Sequence, residues 1–156
     1  MQIRFAKERD VPGIINLLRQ VGRVHHEGRP DLFRPDAQKY SPSQIMAMLD
    51  KASTPIFVAV EDDAVLGYGF CMMKDYDRDT VITSHKSLYI DDLCVEEGCR
   101  GKGVGKAIYN EILRYAKMRG CYNVTLNVWC CNPGAMAFYE SLGLKPQKIG
   151  METILE

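Results

Sequence analysis

The chain has 156 residues, with 20 basic and 20 acidic side chains and a formal net charge of zero. This balance argues against a dedicated nucleic-acid-binding protein, whose affinity would depend on a basic surface. No apolar run approaches the roughly 18–20 residues that cross a bilayer, and Met1–Asp10 lacks the apolar segment of a secretory signal. The composition predicts a single cytoplasmic domain over residues 1–156, with no membrane or nucleic-acid partner.

The first fifty residues predict a short strand and two helices. Ile3–Ala6 is typical of a strand, and Asp10 is placed to cap a helix whose apolar face continues to Val21. The segment from Val24 to Tyr40 contains two prolines and mixed polarity, which predicts irregular structure. Ser41–Gln44 matches a capping box with proline at the first helical position, so a second, short helix is expected there.

Three strands are predicted in the middle of the chain. Ile56–Val60 and Val65–Met73 are rich in strand-forming residues and flank the acidic turn Glu61–Asp63, which is the pattern of a hairpin. Lys86–Val95 is a third strand with the same character. These strands are expected to be antiparallel neighbours in one sheet.

The last third predicts alternating helices and strands. A helix with apolar residues at helical spacing should run from Val104 to a stop at Gly120, followed by a strand over Asn123–Cys131. Asn132 and Pro133 should begin a helix that ends at Gly143, and Lys148–Leu155 is a candidate final strand. The order predicts an α/β (α+β) protein with a mixed, mostly antiparallel central sheet flanked by helices.

A glycine-rich turn joins the third of these strands to the following helix. Such a turn lets backbone amides approach a phosphate closely, and the helix N-terminus adds free donors and partial positive charge. Glycines alternate with basic residues there, as Gly101, Gly103 and Gly105 with Arg100, Lys102 and Lys106. The turn is no Walker A loop, because Val104 stands where lysine is needed. It is no dinucleotide fingerprint either, because the third glycine is missing.

The pattern that fits is [Q/R]-x-x-G-x-[G/A], at Arg100–Gly105. With this motif the chain resembles the GNAT superfamily, the GCN5-related N-acetyltransferases. A second signature of that family, N-x-x-A-x-x-F-Y-E-x-x-G-[FL], is matched by Asn132, Ala135, Phe138, Tyr139, Glu140 and Gly143. The close match covers about Leu88 to Leu144. The resemblance implies the GNAT acyl-CoA N-acyltransferase fold and acetyl-CoA as the acetyl donor.

The same resemblance implies how the coenzyme would be held. In the family the turn binds the pyrophosphate, and the backbone of the preceding strand binds the pantetheine arm and the thioester carbonyl. Cys94 therefore need not act as a nucleophile. The implied coenzyme-binding residues are Leu93, Cys94, Val95, Arg100, Gly101, Lys102, Gly103, Val104, Gly105, Lys106, Asn132, Ala135 and Tyr139.

Acetyl transfer to an amine needs a base, because an alkylammonium has a pKa near 10 and only the neutral amine attacks. Asp91 and Asp92 end the strand before the turn, and strand alternation predicts that only one faces the substrate. Asp91 is favoured as base, acting through water, since it occupies the place of an acidic residue in diamine-acetyltransferase-like relatives. Both could instead be ordinary ion-pair carboxylates. Tyr139 is the general acid by resemblance, and a core aromatic residue otherwise.

The acceptor amine is the least defined part. The connection between the first two helices supplies the candidates His26, Arg29, Phe33 and Tyr40. A small-molecule amine is predicted, such as a polyamine, an amino acid or an aminoglycoside-like compound. A protein N-terminus or lysine and a non-catalytic acetyl-CoA sensor are the alternatives. No metal is predicted, and an apolar stretch near residue 150 could pair at a sheet edge in a homodimer.

Overall fold

A five-stranded sheet forms the centre of the protein. The structure is a computed structural model that describes residues 1–155. Strand order follows chain order, and the strands are β1 (Gln2–Phe5), β2 (Ile56–Glu61), β3 (Ala64–Asp75), β4 (Lys86–Val95) and β5 (Asn123–Leu126). The first three pairings are antiparallel, and β5 lies parallel to β4. The predicted mixed, mostly antiparallel sheet is therefore confirmed.

Helices cover both faces of this sheet. They are α1 (Val11–Gly28), α2 (Pro42–Leu49), α3 (Val104–Met118) and α4 (Pro133–Ser141). Ile14, Leu18 and Ile45 of α1 and α2 are buried in one apolar cluster, whereas Ile108 and Ile112 of α3 are buried in a second. The sheet thus separates two cores, and each strand must present suitable side chains to both. Over residues 1–155, no helix combines the length and apolarity that crossing a membrane requires.

The starts of the first two helices use different chemistry. The predicted capping box of α2 is confirmed, because Ser41 Oγ accepts from the Gln44 amide at 3.2 Å and Gln44 Oε1 accepts from the Ser41 amide at 2.8 Å. Asp10 stands at the N-cap of α1 as predicted, but its carboxylate does not cap that helix. It accepts instead from the Arg4 guanidinium, at 2.6 and 2.9 Å, and from the Lys7 amide.

Three predicted boundaries were wrong. α1 continues to Gly28, through residues expected to be irregular, and closes with the Arg29 amide bonded to the His25 carbonyl. β5 stops at Leu126 rather than at Cys131, because the chain then leaves β4 and turns at Trp129, whose carbonyl accepts from the Asn132 amide. The predicted last strand is absent, since residues 145–155 make no backbone hydrogen bond to the described chain.

Candidate active site

A β-bulge in β4 sets the direction of its acidic side chains. Cys71 of β3 lies opposite Ile90, and its neighbour Phe70 lies opposite Asp92, so Asp91 has no partner in the register. One extra residue reverses the alternation of the strand. Ile90 therefore packs in the α3 cluster, while Cys94, four residues later, packs in the α1 cluster.

Both aspartates consequently lie on the α1 and α2 face. Asp91 accepts a hydrogen bond from the Tyr40 hydroxyl, and Asp92 accepts one from the Tyr68 hydroxyl at 3.0 Å. The rings of Tyr40 and Tyr68 both contact Phe70, with centroids 5.1 and 5.0 Å away. The expectation that only one aspartate could face this side was wrong, because it assumed an unbroken alternation.

The pKa of Asp92 suits a group that accepts a proton near neutral pH. Burial raises the pKa of Asp92 to about 6, while Lys39 and the Tyr68 hydroxyl counteract part of that rise. A carboxyl with this pKa is mostly ionised at pH 7, and its pKa is close enough to the working pH to accept and release a proton efficiently. Tyr68 is fully buried, so its hydroxyl holds the carboxylate in a fixed orientation.

Asp91 makes more polar contacts than Asp92 does. In addition to the Tyr40 bond, its carboxylate lies 3.0 Å from Lys39 Nζ, which also donates to the Asp91 carbonyl at 2.9 Å. The Asp91 side chain is only 11% exposed, whereas Lys39 is 44% exposed. Asp91 therefore binds the partly exposed ammonium of Lys39, whereas Asp92 bonds to the buried Tyr68.

Tyr139 of α4 lies near the same carboxylate. Burial raises the pKa of Tyr139, and the negative charge of Asp92 raises it further. Within residues 1–155 its hydroxyl has no hydrogen-bond partner, so it remains a protonated and available donor at neutral pH. Asn132 positions the helix as predicted, since its Oδ1 accepts from the Ala135 amide at 3.1 Å.

Cys94 lies beside these groups as a neutral thiol. It is buried, and its Sγ lies 3.8 Å from the Leu17 carbonyl in the α1 core. Burial raises the pKa of Cys94 to about 12, so almost none of it is thiolate at pH 7. This environment disfavours an acyl-enzyme at Cys94, and a role for its backbone in coenzyme binding stays a prediction.

β4 and β5 separate beside Asp91 and Asp92. The two strands pair from Ser87 with Asn123 to Ile90 with Leu126 and then separate. Residues 91–95 of β4, which include Leu93 and Val95, keep only β3 as a neighbour. Backbone groups on the open edge are available to an extended ligand that carries amides, since an unpaired strand edge requires hydrogen-bond partners.

The glycine-rich turn lies at the end of the same strand. Gly101 and Gly103 have φ of +74° and +82°, which L-residues with a side chain rarely adopt. A Cβ at either position would meet nothing within 4 Å, so the space above the turn is open. Gly103 is the N-cap of α3, and no side chain caps that helix. Its first-turn amides are thus free for an anion.

The other residues of the turn either carry an exposed positive charge or pack in the interior. Arg100, Lys102 and Lys106 are exposed around the free amides, and together these donors suit a diphosphate. Val104 is buried in the α3 core. A Cβ at Gly105 would lie 3.0 Å from the Phe138 ring, so this glycine is required for the close approach of α3 and α4.

The predicted acceptor residues fall into two groups. Tyr40 contacts the carboxylate pair directly. The other three surround the end of α1: His26 Nδ1 lies 2.7 Å from the Phe33 carbonyl, and the Arg29 guanidinium binds Asp31 and Glu152. Arg29 is therefore already neutralised by carboxylates of its own chain.

An aromatic cluster, formed by His25, Phe33 and Trp129, lies at the end of α1. The Phe33 ring centroid lies 5.0 Å from both His25 and Trp129. Burial lowers the pKa of His25, and the nearby Lys39 lowers it further. Trp129 is 47% exposed, so part of this cluster is open to a ligand. Across residues 1–155, no three metal-ligating side chains are grouped to hold an ion.

Comparison with known proteins identifies the class. The model of the Acetyltransferase (GNAT) family matches residues 21–144, which is most of the chain. A crystal structure of a tetramutant of BH1408 protein from Bacillus halodurans superposes with a TM-score of 0.94 at 31% identity, covering 99% of this chain and all of that one. The chain therefore belongs to the GNAT family of N-acetyltransferases, and the predicted family and fold are confirmed.

More distant similarities span several acceptors. Thialysine N-epsilon-acetyltransferase of Bos taurus is 26% identical over 92% of this chain and 83% of its own length. Glucosamine 6-phosphate N-acetyltransferase 1 of Oryza sativa is 30% identical over 40% of this chain, and the match spans only 36% of the rice enzyme. An aminoglycoside N-acetyltransferase crystallised with CoA shares the fold, with a TM-score of 0.74 at 14% identity.

Proposed function

We propose that this chain transfers the acetyl group of acetyl-CoA directly to a primary amine of a small molecule. The observation that carries the proposal is the convergence of Asp92, whose pKa is about 6, with the free hydroxyl of Tyr139, beside the open edge of β4. Arg100, Lys102, Lys106 and the free amides of α3 would hold the pyrophosphate. The open edge at residues 91–95 would hold the amide-bearing arm.

Asp92 suits the activation of the amine, and Tyr139 suits the protonation of the leaving thiolate. Bound acetyl-CoA would supply an electrophilic thioester carbonyl and a thiolate leaving group. The Asp92 carboxylate would take a proton from the ammonium, directly or through water, so that the neutral amine can attack. The Tyr139 hydroxyl would then donate its proton to the departing sulfur. This assignment moves the base from Asp91, which the sequence favoured, to Asp92, because Asp91 is held by both Tyr40 and Lys39.

A cationic small amine is the acceptor that the charges favour. Two carboxylates, Asp91 and Asp92, lie on one face of the sheet, and the ammonium of Lys39 is paired with Asp91. Relatives named for thialysine, glucosamine 6-phosphate and aminoglycosides all act on amines of small molecules by their names. We infer that a substrate ammonium competes with Lys39 for Asp91.

Tyr139→Phe tests whether the chain is an enzyme. We expect turnover to fall about 100-fold, the usual contribution of a positioned acid, because phenylalanine keeps the ring but has no proton to donate. Acetyl-CoA affinity should stay within a factor of about three. The measurement is thiol release with a panel of polyamines, amino acids and aminoglycosides, with calorimetry for the coenzyme. Unchanged turnover would remove Tyr139 from the chemistry. If the unmodified protein binds acetyl-CoA but acetylates none of these amines, the sensor or protein-acceptor alternatives would be favoured.

Lys39→Met tests the competition at Asp91. The apolar side chain cannot pair with the carboxylate, so the KM for a cationic amine should fall several-fold. Because Lys39 lowers the pKa of Asp92, its removal should also move the acid limb of kcat/KM to higher pH. Lys51→Met, an exposed change after α2, is the matched control. An unchanged KM together with an unmoved acid limb would show that Lys39 is irrelevant to the acceptor.

A further inference from the structure

Lys39 holds its own amine beside the proposed catalytic groups. Its Nζ lies 3.0 Å from the Asp91 carboxylate and donates to the Asp91 carbonyl at 2.9 Å. Asp91 is the first residue of β4 beyond the last pair with β5, which joins Ile90 and Leu126. The positive charge of Lys39 also acts on Asp92, the proposed base. The chain therefore already places a primary amine where the edge of β4 opens.

The backbone on either side of Lys39 is anchored. Before it, the Ala37 carbonyl packs directly against α1, since a Cβ at Gly22 would lie only 2.1 Å from that oxygen. After it, the Tyr40 hydroxyl bonds to Asp91. The Lys39 side chain itself is 44% exposed, so the core does not enclose it. The anchored backbone thus keeps the amine at Asp91, while the partly exposed side chain retains freedom to move over a short distance.

We propose that the chain acetylates its own Lys39 when it has bound acetyl-CoA and no acceptor amine. The inference rests on the proposed acetyltransferase function and adds a modification site that this function alone does not imply. An amine held next to its reaction partner reacts as an intramolecular group, at an effective concentration far above that of a free amine.

The groups already described balance this reaction. The Lys39 nitrogen would bond to the thioester carbonyl carbon, and the carbon–sulfur bond would break. The ammonium loses two protons on becoming an amide. Asp92 would take the first and release it to water, and the second would replace the proton that Tyr139 gives to the sulfur. The products are acetylated Lys39, free CoA and one proton, so no further reactant is required.

Acetylation of Lys39 would change the site in two ways. The amide carries no charge, so the pairing with Asp91 is lost. Because the Lys39 charge lowers the pKa of Asp92, that pKa should rise in the acetylated chain. The amide also stays attached, so the reaction stops after one acetyl group per chain. A substrate amine that displaces Lys39 from Asp91 should protect it.

Mass spectrometry of the full chain incubated with acetyl-CoA alone tests the modification. We expect a single gain of about 42 Da, one acetyl group, which peptide mapping places at Lys39. Lys51, exposed after α2, reports uncatalysed acetylation in the same sample. Lys39 should react at least about 100-fold faster than Lys51, and about 100-fold more slowly in Tyr139→Phe, which lacks the proton donor. Labelling of Lys39 at the Lys51 rate, or at an unchanged rate in Tyr139→Phe, would overturn the proposal.

Thiol release from the same preparation separates this inference from the proposed function. Turnover of a small amine without acetylation of Lys39 would overturn self-acetylation and leave the function intact. Acetylation of Lys39 without turnover of any amine in the panel would support self-acetylation and remove the small-molecule acceptor. Neither turnover nor acetylation would overturn both. An amine that is turned over should, at saturation, suppress the acetylation of Lys39.

Mixed chains test whether the transfer is intramolecular. The rate of Lys39 acetylation should not depend on protein concentration. Lys39→Met keeps the proposed base and acid but has no amine at this position, so adding it to Tyr139→Phe should not speed the acetylation of Lys39 in the latter. Faster acetylation in the mixture would show transfer between chains and would overturn the proposal.

Discussion

Asp92→Asn is expected to lower kcat/KM for the amine by roughly 10²–10⁴-fold at pH 7, the range found when a general base is lost. Asparagine can still accept from the Tyr68 hydroxyl, so the local fold and acetyl-CoA affinity should persist. Steady-state kinetics and coenzyme calorimetry separate the two effects. Equal losses of turnover and of coenzyme affinity would indicate a structural role instead.

The pH profile gives an independent signature of the same carboxylate. The pKa of Asp92 is raised to about 6, so below that pH the group is protonated and cannot act as a base. Because nearly all of an alkylamine is ammonium below about pH 8, the form from which Asp92 takes the proton, kcat/KM should fall as the pH decreases through about 6. The limb should disappear in Asp92→Asn and remain in Asp91→Asn. The opposite pattern would return the role of base to Asp91.

Gly103→Glu is expected to weaken acetyl-CoA binding by at least about 100-fold, equivalent to about 2.7 kcal/mol. The new residue would have to adopt φ +82° at the N-cap of α3 and would place a negative charge where the pyrophosphate is expected. Calorimetric titration with acetyl-CoA measures the loss directly.

Gly120→Glu is the matched control for that change. Gly120 follows the other end of α3, has φ +70°, and would meet nothing within 4 Å with a Cβ. It therefore imposes a similar backbone strain and the same added charge at a distance from the turn. Coenzyme affinity should be unchanged in this variant. If both variants lose binding equally, destabilisation of α3 rather than the turn would explain the loss.

Local sequence signals predicted the elements that depend on local chemistry. The bounds of β4 are the predicted ones, Lys86–Val95. The helix α3 begins at Val104 and ends before Gly120, because glycines with positive φ stand just outside both of its ends. The Ser41 capping box was predictable for the same reason, since all its partners lie within four residues.

Features that depend on distant pairing were not predictable in the same way. The bulge at Asp91 exists only in the register between β3 and β4, and it decides which face Asp92 occupies. Tyr68 and Lys39, which define the environment of Asp92, come from separate elements with no motif of their own. Residues 148–155 have strand propensity, yet propensity cannot supply the hydrogen-bonding partner that a strand requires.

The bulge also constrains how this strand can change in length. Ile90 must face the α3 core and Cys94 must face the α1 core. The one extra residue of the bulge, Asp91, makes both orientations possible. Loss of one residue in this interval would turn the Asp92 carboxylate into an apolar core or expose the side chains beyond it. Substitutions at Asp91 leave the spacing intact. The site can therefore change by substitution of its side chains. An insertion or deletion in this strand would instead destabilise the fold and misplace the Asp92 carboxylate at the same time.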